Sequence, residues 1–312
     1  MSAPKPILVM SNVILDDIRY PDGSQLPRTL GGAASYAAAA ASMWYDEIAI
    51  VAGVGADFEE TAGAALARYG IRRDGLVVRD AHTILSTLIY LADGERTETA
   101  AYGPEHFARL QLTPSDTPEA LLPAAGTYIF RDTWPAFWSA FEGTRHELGA
   151  VLWELQGDAA RSGNLSSIAP LLPQLDIFSL NIAEAHRLLG SEQPESIVTQ
   201  LIGAGAPLVL LRMGADGALV SNGDEHLHVK PPPFTVVDVT GGGNAFCGGF
   251  LAGWCQRPGD LDHASRCAAA SSALTIAQVG MPSAIDQPTL VRLHDTTGIS
   301  RYFPSVNRTV YP

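Results

Sequence analysis

Apolar residues fall in short blocks along the chain, and the blocks alternate with segments of helical spacing. Ile7 to Leu15 is the first such block and predicts a buried strand. A polar stretch containing Pro21 and Gly23 follows from Asp16 to Arg28, and the small-residue segment Gly31 to Ala41 reads as a loop opening a helix. Ile48 to Val51 predicts a second short strand ending in Gly53-Val54-Gly55, and Glu59 to Tyr69 has helical spacing with a stop at Gly70. Two β-prone runs, Thr83 to Leu91 and Arg96 to Tyr102, are separated by Asp93-Gly94, a dipeptide that favours tight hairpin turns. Strands then recur near Tyr128 to Phe130, Ala150 to Trp153, Ile177 to Leu180 and Leu208 to Arg212, with helical stretches between them.

Regular alternation of this kind predicts an α/β fold, with a mainly parallel sheet carrying helices on both faces. A hairpin that interrupts such a chain predicts a lid. With no linker, repeat or low-complexity tract other than the run Ala37 to Ala41, the expectation is a single domain over residues 1–312. Lid segments are expected at about 16–30 and 83–102. The lid edge leaves pairing with a second subunit, a homodimer through the lid, open. Ligands of such sheets sit beyond the carboxyl ends of the strands, so the loops there are where chemistry is sought.

Composition narrows the class of partner. With 46% hydrophobic and 17% charged residues, the chain is able to bury a sizeable core. Its net charge is −13, and Lys5 and Lys230 are the only lysines, so no polybasic stretch tracks a nucleic-acid backbone. An anionic small ligand stays open, because backbone amides, a helix terminus and a metal ion bind phosphates locally whatever the net charge. The three cysteines, Cys247, Cys255 and Cys267, form no CxxC pair and read as buried structural thiols. The N-terminal residues resemble a first strand more than a signal peptide, and no stretch reaches the apolar length of a membrane helix, so cytoplasmic residence is the default expectation.

The chemistry concentrates in Asp238-Val239-Thr240-Gly241-Gly242-Gly243-Asn244, just before a stretch of helical character. Successive glycines let backbone N–H groups turn toward one point, and a following helix adds the positive end of its dipole, which together make an anion hole. A tight turn with close helix packing explains glycines equally well. The flanking residues extend the pattern, however: the segment resembles Asp-x-Thr-Gly-x-Gly-Asp, the signature of the pfkB (ribokinase-like) sugar and nucleoside kinases, at six of seven motif positions.

That resemblance implies a ribokinase-like three-layer α/β/α fold with a small β lid, and it implies roles. Asp238 would help organise the metal and monovalent-cation surroundings, and Gly241, Gly242 and Gly243 would stabilise the transferring phosphoryl group. The last motif position, the family's general base, is Asn244 here, and an amide has no lone pair of useful basicity near neutral pH. Other pieces fall in the family's order. Ser11 to Asp16 resembles the first strand, whose closing aspartate binds substrate hydroxyls, which makes Asp16 a substrate candidate. Gly31-Gly32-Ala33-Ala34-Ser35-Tyr36 resembles the Gly-Gly substrate loop, with Tyr36 where sugar kinases usually carry asparagine. Glu154-x-Gln156 stands as either a variant of the family's Asp-x-Asn near the acceptor or a polar strand end. Asn181-Ile182-Ala183-Glu184 matches the Asn-x-x-Glu motif associated with magnesium, and also has the form of a helix-capping box. Arg212, Gly214 and Gly217 resemble the next loop on the nucleotide side, where a basic residue faces the phosphates; a surface salt bridge is the other reading of Arg212. Cys267 to Ile276 with Gly280 resembles the helix and turn that border adenine.

The resemblance thus implies ATP, Mg2+ and a monovalent cation such as K+ as cofactors, and a small sugar, polyol or nucleoside-like acceptor. Asn244 sets the alternatives: a phosphotransferase slowed by loss of its base, or a protein that binds nucleotide or a small ligand in a regulatory role without efficient chemistry. Asn244→Asp is expected to restore a base contribution of about 10²–10⁴ in rate.

Overall fold

The structure is a computed structural model that describes residues 4–26, 28–90, 96–190 and 193–303. The turn expected at Asp93-Gly94 lies outside these residues. The strands are β1 (Ile7–Met10), β2 (Ile14–Arg19), β3 (Thr29–Gly31), β4 (Ile48–Gly55), β5 (Leu76–Asp80), β6 (Leu85–Tyr90), β7 (Arg96–Ala100), β8 (Gly126–Arg131), β9 (Ala150–Leu155), β10 (Ile177–Asn181), β11 (Val209–Arg212), β12 (Ala218–Ser221), β13 (His226–Lys230) and β14 (Gly298–Tyr302). The helices are α1 (Ala33–Ser42), α2 (Ala64–Ala67), α3 (Gly103–Arg109), α4 (Pro135–Thr144), α5 (Leu165–Ile168), α6 (Ile182–Leu189), α7 (Pro194–Gly203), α8 (Gly242–Gln256), α9 (Leu261–Ile276) and α10 (Gln287–Thr296).

Among the described residues ten strands form one sheet in the order β14-β13-β12-β11-β10-β9-β8-β1-β4-β5. From β5 to β11 every neighbouring pair is parallel. The edge from β11 to β14 is an antiparallel meander. Along the strands successive side chains point to opposite faces, so continuous apolar runs build two cores. Ile7, Val9, Ile50, Leu152 and Leu210 pack on one face with α1, α8 and α9. Leu8, Met10, Val51, Trp153 and Leu211 pack on the other with α4, α6 and α7.

The apolar block Ile7 to Leu15 proves to be two strands in different sheets. β1 runs through the centre of the large sheet, and β2 leaves it to join a four-stranded sheet of order β3-β2-β6-β7. The chain changes sheet at Ser11 to Val13, which belong to neither strand. β2 pairs with β3 antiparallel and with β6 parallel, and β6 pairs with β7 antiparallel. The two stretches expected to form a lid, one after β1 and one before α3, therefore meet as one small sheet. Glu59 to Tyr69, expected as a regular helix, begins instead as a π-turn over Glu59–Gly63 before α2.

The helices beside the glycine segment are unusually bare. The alanine run lies in α1, fully buried. α8 brings Gly248 against it so closely that a Cβ there would fall 2.2 Å from the Ala37 carbonyl oxygen. On its other side α8 sets Gly249 against Ser271 and Cys267 of α9, and Gly253 against Ala264. Three helices thus stack with almost no side-chain spacer, which fixes where the first turn of α8 stands over the sheet.

Gly248→Ala tests this packing. Alanine gains about 1 kcal/mol in helix propensity, but overpacking against a backbone atom costs about 1–3 kcal/mol or more. Urea unfolding is expected to show net destabilisation, whereas Gly143→Ala in α4, where a Cβ would meet nothing within 4 Å, is expected to be neutral or stabilising. Equal stability of the two variants would show that the close approach is not a constraint.

Candidate active site

The glycine segment lies beyond the carboxyl ends of β8 to β11. Gly241, at φ +75°, is the N-cap of α8, and no side chain caps the helix. Its left-handed backbone suits glycine, and its position is tight as well, since a Cβ there would lie 2.2 Å from the Tyr36 ring. At Gly243 a Cβ would lie 1.9 Å from Arg212 Nη1. Gly242 N–H donates to the Val239 carbonyl at 3.2 Å; with no side-chain cap, this end still turns the positive end of the helix dipole toward the cavity that Gly242 and Gly243 line. Asp238 shapes the approach to the turn, its Oδ1 accepting from Thr240 N–H at 3.0 Å and Thr240 Oγ at 2.8 Å.

Directly beneath the turn is a group that sequence reasoning left undecided. β9 reads Ala-Val-Leu-Trp-Glu-Leu, and strand alternation that sends Trp153 into the aromatic cluster on one face sends Glu154 to the other, under α8. Glu154 is only 2% exposed. Its carboxylate accepts from Tyr128 Oη at 2.6 Å, from Asn244 Nδ2 at 3.2 Å to each oxygen, and pairs with Arg212 Nη2 at 2.9 Å. Asn244 Nδ2 also donates to Tyr128 Oη at 3.1 Å. Two acceptors on one side decide the amide orientation, so Nδ2 faces Glu154 and Oδ1 faces away from it. A charged residue inside an apolar run was the signal available in the sequence, since carboxylates are almost never fully buried unless paired. Tyr128 gave no signal, because its role comes only from the register of β8 beside β9.

Arg212 does not fit the surface salt bridge that was one reading of it. It is not on the surface: its side chain is 12% exposed, with Nε donating to Ser179 Oγ at 3.2 Å and Nη2 reaching Glu154 and, at 3.8 Å, Glu184. Burial opposes its charge, yet Glu154 and the other anions around it hold the guanidinium pKa above its ordinary value. Burial raises the Glu184 pKa, with Arg212 and the Asn181 N–H acting against it. Burial, followed by the Glu154 charge, raises that of Tyr128 well above the ordinary phenol value.

Asn181 and Glu184 do form the capping box of α6: Glu184 N–H donates to Asn181 Oδ1 at 2.8 Å, and Asn181 N–H to Glu184 Oε2 at 2.7 Å. Each carboxylate has about four acceptor sites, so capping leaves lone pairs for water or a cation, and an oxygen-only donor set suits magnesium. Asp16 of β2 and Gly31 of β3 come together, so that a Cβ at Gly31 would strike the Asp16 carboxylate, and Gly32 follows at φ +83°. Tyr36 joins this part of the chain to the glycine turn.

A cavity of about 620 Å³ opens between these groups and α9. Asn181, Arg212, Gly214, Gly217, Gly242 and Gly243 line it at the polar side. Phe234, Val236, Ala269, Ala273 and Ile276 make the rest apolar. Its lining thus offers a ligand both an apolar and a polar wall. No helix among the described residues is long and apolar enough to cross a membrane.

Comparison with known proteins agrees with this arrangement. Residues 9–288 match the profile described as pfkB family carbohydrate kinase. A cytidine kinase from Thermococcus kodakarensis is 26% identical over 268 residues, 80% of this chain and 88% of that protein. An ATP-dependent 6-phosphofructokinase from Thermoanaerobacterium thermosaccharolyticum is 36% identical over 104 residues, which is 33% of this chain and 31% of that protein's length. Among solved structures, a putative ribokinase II from E. coli in complex with ATP and Mg2+ superposes with a TM-score of 0.75 at 19% identity, over 93% of this chain and 99% of that one. The fold is ribokinase-like, and the match over nearly the whole described chain places this protein in the pfkB family of carbohydrate kinases.

Proposed function

We propose that the chain is an ATP-dependent phosphotransferase acting on a hydroxyl of a small sugar, polyol or nucleoside-like acceptor. One observation carries the reading: the N-terminus of α8, with its glycine turn and no side-chain cap, lines the polar part of a cavity whose remaining wall is apolar. The apolar wall between α9 and Phe234 takes the base of the nucleotide. The glycine turn and Arg212 take the phosphates. Asn181 and Glu184 hold magnesium through water, and Asp238, with Oδ1 used by Thr240, keeps Oδ2 for the cation surroundings, including a monovalent cation. Magnesium, when bound, neutralises charge on the phosphates. Asp16, Gly31, Gly32 and Tyr36 form the acceptor side. Names of relatives, such as cytidine kinase, and the neighbour solved with ATP and Mg2+ support this assignment.

Asn244 then works through Oδ1, which accepts a hydrogen bond from the acceptor hydroxyl and orients it. It cannot take the proton. Catalysis rests on positioning and electrostatic stabilisation, which dominate phosphoryl transfer, and proceeds without the base contribution. The commitment of the Asn244 amide to Glu154 favours a second reading as well, a nucleotide-binding protein without efficient turnover.

Calorimetry is expected to detect ATP binding with magnesium present, and a panel of sugars, polyols and nucleosides to reveal slow phosphorylation. Binding without turnover on any acceptor selects the second reading, and no binding refutes both.

The role of Asn244 has a sharper test. Asn244→Asp alone sets a second carboxylate about 3.2 Å from buried Glu154, where both cannot ionise and one proton is shared. Its gain is therefore expected to be small at neutral pH and to grow as pH rises. The exchange Asn244→Asp with Glu154→Gln keeps one carboxylate and one amide in the site. Turnover of this double variant is expected to exceed the native rate by about 10²–10⁴. A folded double variant no faster than the native protein would show that position 244 is not where the base belongs.

A further inference from the structure

At the opposite end of α9 from the glycine turn, a second cluster of reactive side chains has no part in the candidate active site. His263 and Cys267 stand one helical turn apart on α9, and His294 reaches them from α10, with the three candidate ligand atoms all within 4.8 Å of one another. Cys267 is fully buried, and its Sγ lies 3.6 Å from His263 Nε2. None of the three lines the large cavity.

The surroundings are those of a built site. His294 Nδ1 is 2.9 Å from Asp295 Oδ1, which fixes the proton on Nδ1 and leaves Nε2 as a bare acceptor. That Nε2 is buried and has no hydrogen-bond partner, an arrangement that costs free energy unless something binds there. A carboxylate on the outer nitrogen of a histidine is the usual support of a metal-ligating imidazole. Gln256 is fixed as well: its amide donates to the Trp44 carbonyl, so its Oε1 accepts from His263 Nε2–H at 2.9 Å, and when an ion takes Nε2 that proton shifts to Nδ1 and Oε1 is freed for a water on the ion.

We propose that His263, Cys267 and His294 bind a zinc-type divalent ion in a structural site, with water held by Gln256 in the fourth position. One thiolate and two imidazoles suit zinc, and i, i+4 ligands on one helix face point to a common ion. In a tetrahedral site with about 2.3 Å to sulfur and about 2.0–2.1 Å to nitrogen, ligand atoms lie roughly 3.3–3.6 Å apart. The His263 to Cys267 separation already has this value, and the longest separation closes by an adjustment of roughly 1 Å. Burial pushes the Cys267 thiol up to about 12, so the apo protein carries the thiol. Binding breaks the S–H bond, forms the S–metal bond and releases one proton to solvent. The ion would clamp α10 onto α9, where the apolar contact is limited to a small cluster around Met43, Ala270, Ala273, Leu290 and Leu293.

The full chain, purified with any affinity tag removed and stripped by a chelator, is to be titrated with Co2+ as a spectroscopic probe. One equivalent is expected to give thiolate-to-cobalt charge transfer and tetrahedral d–d bands, and one equivalent of Zn2+ to abolish them and raise the melting temperature. Cys267→Ser should remove the charge-transfer band, and Asp295→Asn, which does not touch the ion, should weaken cobalt binding about 10–100-fold. His294→Gln serves where Cys267→Ser does not fold, and should also lose the tetrahedral bands. Absence of a charge-transfer band in the native chain overturns the proposal, as does a band that persists unchanged in the folded ligand variants. ATP binding, measured in parallel, is expected to be the same with and without the ion.

Discussion

A single carboxylate in a place where carboxylates do not belong organises the centre of this molecule. Glu154 points from a buried strand into the space under α8, and a charge there is tolerated only with a cation and donors around it. Arg212, Tyr128 and Asn244 supply them, each from a different element. Removing one partner from such a buried pair typically costs about 3–5 kcal/mol, because the other is left uncompensated. The residue types at these positions are therefore linked. The amide at position 244 donates to the carboxylate below it without adding a second negative charge, so its place there is a matter of local charge balance.

The same region shows how a helix terminus is held in register with a sheet. A helix bearing ordinary side chains stands about 8–10 Å from its neighbours. Glycines and alanines along α1, α8 and α9 remove that layer, so backbone meets backbone and the N-terminal turn of α8 sits without slack. That turn, with no side-chain cap, is then fixed relative to Arg212 and to the capping box of α6. Preorganisation of this kind carries most of the work in phosphoryl transfer.

Much of this could be read from the chain before the structure. Strand and helix alternation gave the parallel sheet, because apolar blocks of strand length separated by helical spacing admit few other folds. The glycine turn and the Asn-x-x-Glu box were legible because their residues are neighbours in sequence. The division of Ile7 to Leu15 between two sheets was not, since a continuous apolar run carries no mark of where it changes partner. Nor was the surrounding of Glu154, whose partners come from positions 128, 212 and 244 and meet only through sheet register. The His263, Cys267 and His294 cluster escaped for the same reason: cysteine spacing was the wrong ruler for a site with one cysteine.

The contact between Tyr36 and Gly241 gives the two halves of the cleft a common mechanical element. Tyr36 rides on the first turn of α1, shortly after Gly31 and Gly32, and its ring rests on the residue that begins α8. The two helix ends are therefore in direct van der Waals contact. Were a ligand in one half to shift this contact, the effect on binding in the other would by reciprocity be the same in both directions. With acceptor and nucleotide placed as proposed, any coupling between them would have to cross the width of one aromatic ring.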